Sequence, residues 1–150
     1  MEKKIVQVQE RTQQLIRQLL NVWESSVRAT HDFLSEEEII KIREYVPMAI
    51  ENVEYLIIAE KEFGEPVAFM GIDGNRLEML FLSPEARGKG LGKRLLQYGI
   101  ETYNIQELTV NEQNPQAVGF YEHMGFQTYK RTDHDEEGNP YPLLYMRLSR

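Results

Sequence analysis

The chain has 150 residues, no cysteine, and 17 Lys and Arg against 24 Asp and Glu, a formal net charge of −7. That length suits one domain over 1–150 with a core that needs no staples, and the lack of cysteine excludes a disulfide framework, a thiolate nucleophile and Cys-ligated metal. The acidic balance disfavours non-specific nucleic-acid binding and mildly favours a cationic acceptor, although a solubilising surface explains it by itself. No apolar run approaches the roughly 20 residues of a membrane span, and Met1-Glu2-Lys3-Lys4 leads into an amphipathic strand instead of a signal-peptide core. A cytoplasmic protein with no membrane and no nucleic-acid partner is the expectation.

In chain order, Ile5 to Val8 reads as a short strand. Thr12 caps a long helix in which Leu15, Ile16, Leu19, Leu20, Trp23 and Val27 recur at helical spacing. Ser35-Glu36-Glu37-Glu38 is a capping box that opens a second helix, with Ile39, Ile42 and Val46 turned inward. Tyr55 to Glu60, Pro66 to Ile72 and Arg76 to Leu82 read as strands, separated by turns at Gly64 and Asp73-Gly74-Asn75. A helix follows from Leu91 to about Tyr103, then a strand from Leu108 to Asn111. Asn114 is a good N-cap and Pro115 suits the first helical position, so a short helix runs to about His123 and Gly125 ends it. Phe126 begins another strand, and an acidic hairpin turn around Asp133 to Gly138 closes through Asn139-Pro140. The predicted order is β-α-α-β-β-β-α-β-α-β-β, an α/β fold of the α+β kind. Its sheet is mixed, parallel only across the helix from Leu91 to Tyr103.

The densest chemistry lies in Leu80-Phe81-Leu82-Ser83-Pro84-Glu85-Ala86-Arg87-Gly88-Lys89-Gly90-Leu91-Gly92-Lys93-Arg94. A strand, a basic glycine-rich loop and a helix N-terminus in that order build an anion site: free backbone N–H groups and the helix dipole converge where Cβ atoms are missing. Spacing excludes a P-loop, because Arg87 stands where its first glycine belongs and Arg94 where its hydroxyl belongs. It also excludes the dinucleotide fingerprint, whose last glycine position holds Lys93 or Leu95. Arg87, Gly90 and Gly92 do satisfy Arg/Gln-x-x-Gly-x-Gly/Ala. Downstream, Asn114, Ala117, Tyr121, Gly125 and Phe126 satisfy Asn-x-x-Ala-x-x-x-Tyr-x-x-x-Gly-Phe. These two motifs, in this order, resemble motifs A and B of the GNAT superfamily of N-acetyltransferases. Thr109 to Tyr121, Arg131 to Leu144 and Val27 to Leu34 narrow the likeness to bacterial YjaB-type acetyltransferases.

The resemblance implies a GNAT fold with a splayed parallel strand pair, and acetyl-CoA as cosubstrate in the gap. The acetyl group would pass to a primary amine of a small molecule or peptide by direct attack. The pyrophosphate would lie on the loop formed by Arg87, Gly88, Lys89, Gly90, Leu91, Gly92 and Lys93. A bulge in the strand ending Leu80-Phe81-Leu82 would free backbone groups for pantetheine and the thioester oxygen, with the Leu82 amide as oxyanion donor. Asn114 would touch coenzyme A, and Tyr121 would protonate the leaving thiolate. From position alone, Tyr121 is a packing residue, Asn114 an N-cap, and Leu80 and Leu82 core filler. Related Nα-acetyltransferases carry a glutamate five residues before the asparagine. Thr109 stands there, which leaves the base open between His31, Glu78 and water. His31, His123 and His134 lack metal-ligand spacing, and an apparent calcium loop from Asp133 would need a ligand at Leu144, so no metal is expected. A silent CoA-binding module acting as sensor or subunit is the alternative function, and assembly is left open between monomer and homodimer.

Overall fold

The computed structural model describes residues 4–149; the expected lead-in at Met1-Glu2-Lys3 lies outside them. Strand β1 (Lys4–Gln7) is followed by α1 (Gln13–Thr30), whose first turn is capped by the Thr12 hydroxyl accepting from the Leu15 amide at 3.1 Å. The Ser35 capping box opens α2 (Glu36–Arg43) as expected. The single second helix expected from the sequence is two, however: α2 stops at Arg43, and α3 (Val46–Asn52) starts afresh. Pro47 is the physical reason. It has no N–H to give, and its ring would meet the carbonyl four residues back, so a helix can start at Pro47 but not run through it. Val46 therefore packs from α3, beside Ile50. Arg11 finishes this corner, its guanidinium donating to the carbonyls of Ile50, Glu51 and Glu54 at 2.8–3.1 Å.

The rest follows the sequence closely: β2 (Tyr55–Glu60), β3 (Pro66–Asp73), β4 (Arg76–Leu82), α4 (Leu91–Tyr103), β5 (Glu107–Asn111), α5 (Pro115–His123), β6 (Phe126–Thr132) and β7 (Leu143–Leu148). The described strands form one seven-stranded sheet in the order β1-β2-β3-β4-β5-β7-β6, and β4–β5 is the parallel pair. Side chains alternate across β2, so the two faces gather separate cores. Leu56 and Ile58 join Phe69 and the inner faces of α1, α2 and α3; Ile57 and Ala59 join Met70, Ile72 and the Leu95 and Leu96 of α4.

Two irregularities shape the middle of the sheet. Parallel pairing of β4 with β5 consists of Arg76 with Glu107 and Leu77 with Leu108, after which the strands part. Between β3 and β4 the register shifts: Leu77 faces Ile72 but Met79 faces Gly71, leaving Glu78 as the extra residue. The bulge thus lies at Glu78, upstream of Leu80-Phe81-Leu82, which keep their ladder with β3. An extra residue bends a strand and increases its twist, and here it falls where β4 leaves β5.

Helix α4 lies against the sheet at Gly99, where an added Cβ would come 2.5 Å from Ile105 Cδ1 and 3.1 Å from Met70 Cε. Both neighbours are fully buried, with little room to yield. Gly99→Val should therefore destabilise the fold by about 1–3 kcal/mol, the usual cost of overpacking, in a urea titration. A midpoint unchanged from wild type would mean that α4 does not approach the sheet this closely.

Candidate functional site

A cleft of about 650 Å³ opens where β4 and β5 part. Its walls are β4 from Glu78 to Leu82, the loop into α4, Thr109 to Asn111 of β5, the inner face of α5, and Ser26, Thr30 and His31 of α1's last turn and cap. Of the residues expected from sequence, Leu80, Phe81, Leu82, Arg87, Gly88, Gly90, Leu91, Gly92, Lys93, Asn114 and Tyr121 all line it. Lys89 is exposed and stands outside the lining. The two expected base candidates, His31 and Glu78, both line it as well.

Backbone orientation on the β4 wall follows from the ladder. The Ser83 amide donates to the Val67 carbonyl at 2.8 Å, towards β3. Alternation in an antiparallel pair turns the peptide groups of Leu82 and Leu80 the other way, into the gap that β5 has left. Their side chains meanwhile pack into the core on the α4 face, while Phe81 packs on Phe69 at 5.6 Å between centroids on the α1 face. Core filling by side chains and an open backbone edge therefore coexist.

At the far end, Gly88 and Gly90 adopt φ +75° and +79°, a left-handed conformation that costs glycine little. Nothing of the protein lies within 4 Å of where their Cβ atoms would be. Gly90 is also the N-cap of α4 and offers no side chain to its first amides, which are left for an anion. This loop fits a diphosphate.

Helix α5 enters the cleft through its cap. Asn114 Oδ1 accepts from the Ala117 amide at 3.2 Å, as an N-cap should, and its Nδ2 lies 3.5 Å from His31 Nε2. One turn on from Ala117, the half-buried Tyr121 ring packs against Phe120 (5.3 Å) and Phe126 (6.2 Å). Its hydroxyl has no hydrogen-bond partner among the described residues. Burial pushes the phenol well above its ordinary pKa, so it stays protonated at neutral pH.

The two base candidates are tuned in opposite senses. Burial lowers the His31 pKa from its ordinary 6.5, Arg87 lowers it further, and Asp32 opposes both. Burial raises the Glu78 carboxyl, Arg76 counteracts this, and Asp73 and Glu136 reinforce it. Arg76 was not singled out in the sequence, yet it organises the floor of the cleft. Its Nη2 donates to Thr109 Oγ1 at 3.2 Å and to Glu136 at 3.3 Å, and its Nε lies 3.4 Å from Glu78 without forming a hydrogen bond. Ser26, Thr30, Gln116 and Phe120 were missed too; Ser26 and Thr30 had a signal only in being four apart on a capped helix.

The acetyltransferase (GNAT) domain family matches residues 12–149. The chain is similar to the peptidyl-lysine N-acetyltransferase YjaB of Salmonella typhimurium, 41% identical over 126 residues that span 84% of this chain and 86% of that protein. YjaB of Escherichia coli is 39% identical over 85% of this chain and 86% of its own length. The solution structure of apo YjaB from Escherichia coli superposes with a TM-score of 0.87, covering 98% of this chain and 97% of that one. At 22% identity, the PaiA N-acetyltransferase of Thermoplasma acidophilum, crystallised in complex with coenzyme A, shares the fold with a TM-score of 0.70 over 98% and 99% of the two chains. The chain belongs to the GNAT acetyltransferases, acyltransferases whose donor is acetyl-CoA.

Proposed function

We propose that this single domain transfers the acetyl group of acetyl-CoA to a primary amine by direct attack, with the side chain of a peptide lysine as acceptor. The observation that carries the reading is the cleft itself. One continuous opening joins a glycine-rich helix N-terminus, an unpaired β4 backbone edge and a protonated phenol. The lysine acceptor is supported by the relatives named peptidyl-lysine N-acetyltransferases.

On this reading the amides from Gly88 to Lys93 receive the pyrophosphate, with the Arg87 and Lys93 side chains beside it. The thioester then lies along Leu80 to Leu82. As the amine attacks, negative charge develops on the carbonyl oxygen, and the Leu82 amide faces the side from which it is needed. A fixed donor of this kind is worth about 10²–10³ in rate. The C–S bond then breaks, and the sulfur takes the proton of the Tyr121 hydroxyl. Glu78 and Glu136, two carboxylates around the one Arg76, leave negative potential at the floor of the cleft, favouring a cationic amine over a neutral one.

Two substitutions test the assignment at its two ends. Tyr121→Phe keeps the ring packing against Phe120 and Phe126 but removes the proton. The transfer step in single turnover should slow by roughly 10²–10⁴-fold, with acetyl-CoA affinity nearly unchanged. A normal transfer step would remove Tyr121 from the chemistry. Gly90→Ala places a methyl group in the open space of the loop at a positive φ. Calorimetry should find acetyl-CoA bound at least about tenfold more weakly, equivalent to roughly 1.4 kcal/mol. Unchanged affinity in the folded variant would move the pyrophosphate elsewhere.

A further inference from the structure

We propose that His31 is the base of the transfer, taking the acceptor's proton at Nε2, and that Thr30 is a positioning residue that fixes the tautomer able to do so. This rests on the cleft being the transfer site, as argued above.

The Thr30 hydroxyl has a single hydrogen, and it donates that hydrogen to the Ser26 carbonyl one helical turn back, at 2.9 Å. The same oxygen lies 2.8 Å from His31 Nδ1. With that hydrogen assigned to the Ser26 carbonyl, Thr30 Oγ1 accepts from the ring, which puts the N–H of the neutral imidazole on Nδ1 and the lone pair on Nε2. Nε2 is the end of the ring that faces Asn114, and its contact there is a long one, 3.5 Å to the amide nitrogen. A partner at that distance holds a lone pair weakly and yields to a better donor such as an ammonium.

The surroundings keep the ring in its basic, neutral form. Arg87 is the cation that faces it, Asp32 the opposing anion beside it, and the tilted Phe33 ring packs with its centroid 5.3 Å from that of the imidazole. Asn114 approaches from α5 and Thr30 from α1, both uncharged. Glu78, Tyr121 and Lys93 are the other titratable groups lining the cleft. Glu78 has a cation, the Arg76 guanidinium, 3.4 Å from its carboxylate, whereas among the described residues His31 Nε2 has only the long contact to Asn114. Tyr121 starts the reaction protonated.

The steps balance as follows. The ammonium N–H bond breaks, its proton goes to His31 Nε2, and the electron pair stays on nitrogen. That pair forms the C–N bond to the thioester carbonyl carbon while the π electrons move onto oxygen. When they return, the C–S bond breaks, sulfur leaves with the pair and takes the Tyr121 proton. The surplus proton on the new amide nitrogen restores the phenol, and the imidazolium releases its proton to water. One proton is released per acetyl group transferred.

Protonated His31 has no lone pair, so activity is lost as the pH falls through its depressed pKa and is present above it. The test uses the full chain, a lysine peptide and single-turnover transfer across pH 5 to 9, with Tyr121→Phe measured alongside. Wild type should show an acid limb below pH 6.5. His31→Gln should bind acetyl-CoA normally, transfer about 10²–10⁴-fold more slowly and lack that limb. Imidazole nitrogen shifts should place the hydrogen of wild-type His31 on Nδ1. Thr30→Val should lose that preference and transfer about tenfold more slowly, and Thr30→Ser should restore both. A wild-type hydrogen on Nε2, or a His31→Gln enzyme with wild-type rate and limb beside a slow Tyr121→Phe, overturns the proposal and leaves the site intact. Normal transfer in both His31→Gln and Tyr121→Phe would instead overturn the site.

Discussion

The parting of two parallel strands after two paired residues is the constraint on which the rest of the structure depends. Strand β4 is held along its other edge by β3, and β5 by β7 over its whole length, from Glu107 to Asn111. Neither can move to close the gap without surrendering a complete ladder. The bulge at Glu78 bends β4 at the point of separation. The peptide groups of Leu80 and Leu82 are left facing a cleft with no strand to bond. A buried polar group without a partner costs about 1–3 kcal/mol, so such an edge is stable only where water or an amide-bearing ligand satisfies it. The gap is thus a place where a chain resembling a strand can be added.

The elements around the gap divide the work between its two ends. Helix α4 points its start at one end, where Gly88 and Gly90 keep the loop open and Arg87 and Lys93 line it. Helices α1 and α5 meet at the middle, where His31 at the end of one lies beside Asn114 at the start of the other. Charge follows the same division: cations near the glycine loop, and Glu78 and Glu136 around Arg76 at the base of the split. Such a division would draw an anionic ligand and a cationic one to different ends of one opening. The arginine between the two carboxylates offsets part of their mutual repulsion.

Local signals made most of the fold legible before the structure. The Ser35 capping box, the Asn114-Pro115 helix start, the Gly74 turn and the alternation of the strands each involve residues within a few positions, and each element formed where its signal lies. What escaped was either one residue of register or a contact far along the chain. Apolar spacing through Ile39, Ile42 and Val46 suggests one helix, and only the missing N–H of Pro47 divides it. A bulge adds one residue to a strand without changing its composition, so Glu78 reads as an ordinary strand position. Arg76 reaches Thr109 and Glu136, 33 and 60 residues away, and no local pattern encodes such pairings. The glycine loop was legible because it is a local device, whereas the role proposed for His31 was not, because it depends on the contacts of Thr30 and Asn114 around the ring.

The central claim is that acetyl-CoA occupies the gap between β4 and β5, against the backbone edge that the split leaves open. Backbone amide resonances followed during a titration with coenzyme A test it most directly, because they report on those peptide groups themselves. The account predicts the largest shifts, and the greatest gain in protection from exchange, at Leu80, Leu82, Gly88, Gly90 and Gly92. Shifts clustered on another surface, with the Leu82 and Gly90 amides unmoved at saturation, would contradict it.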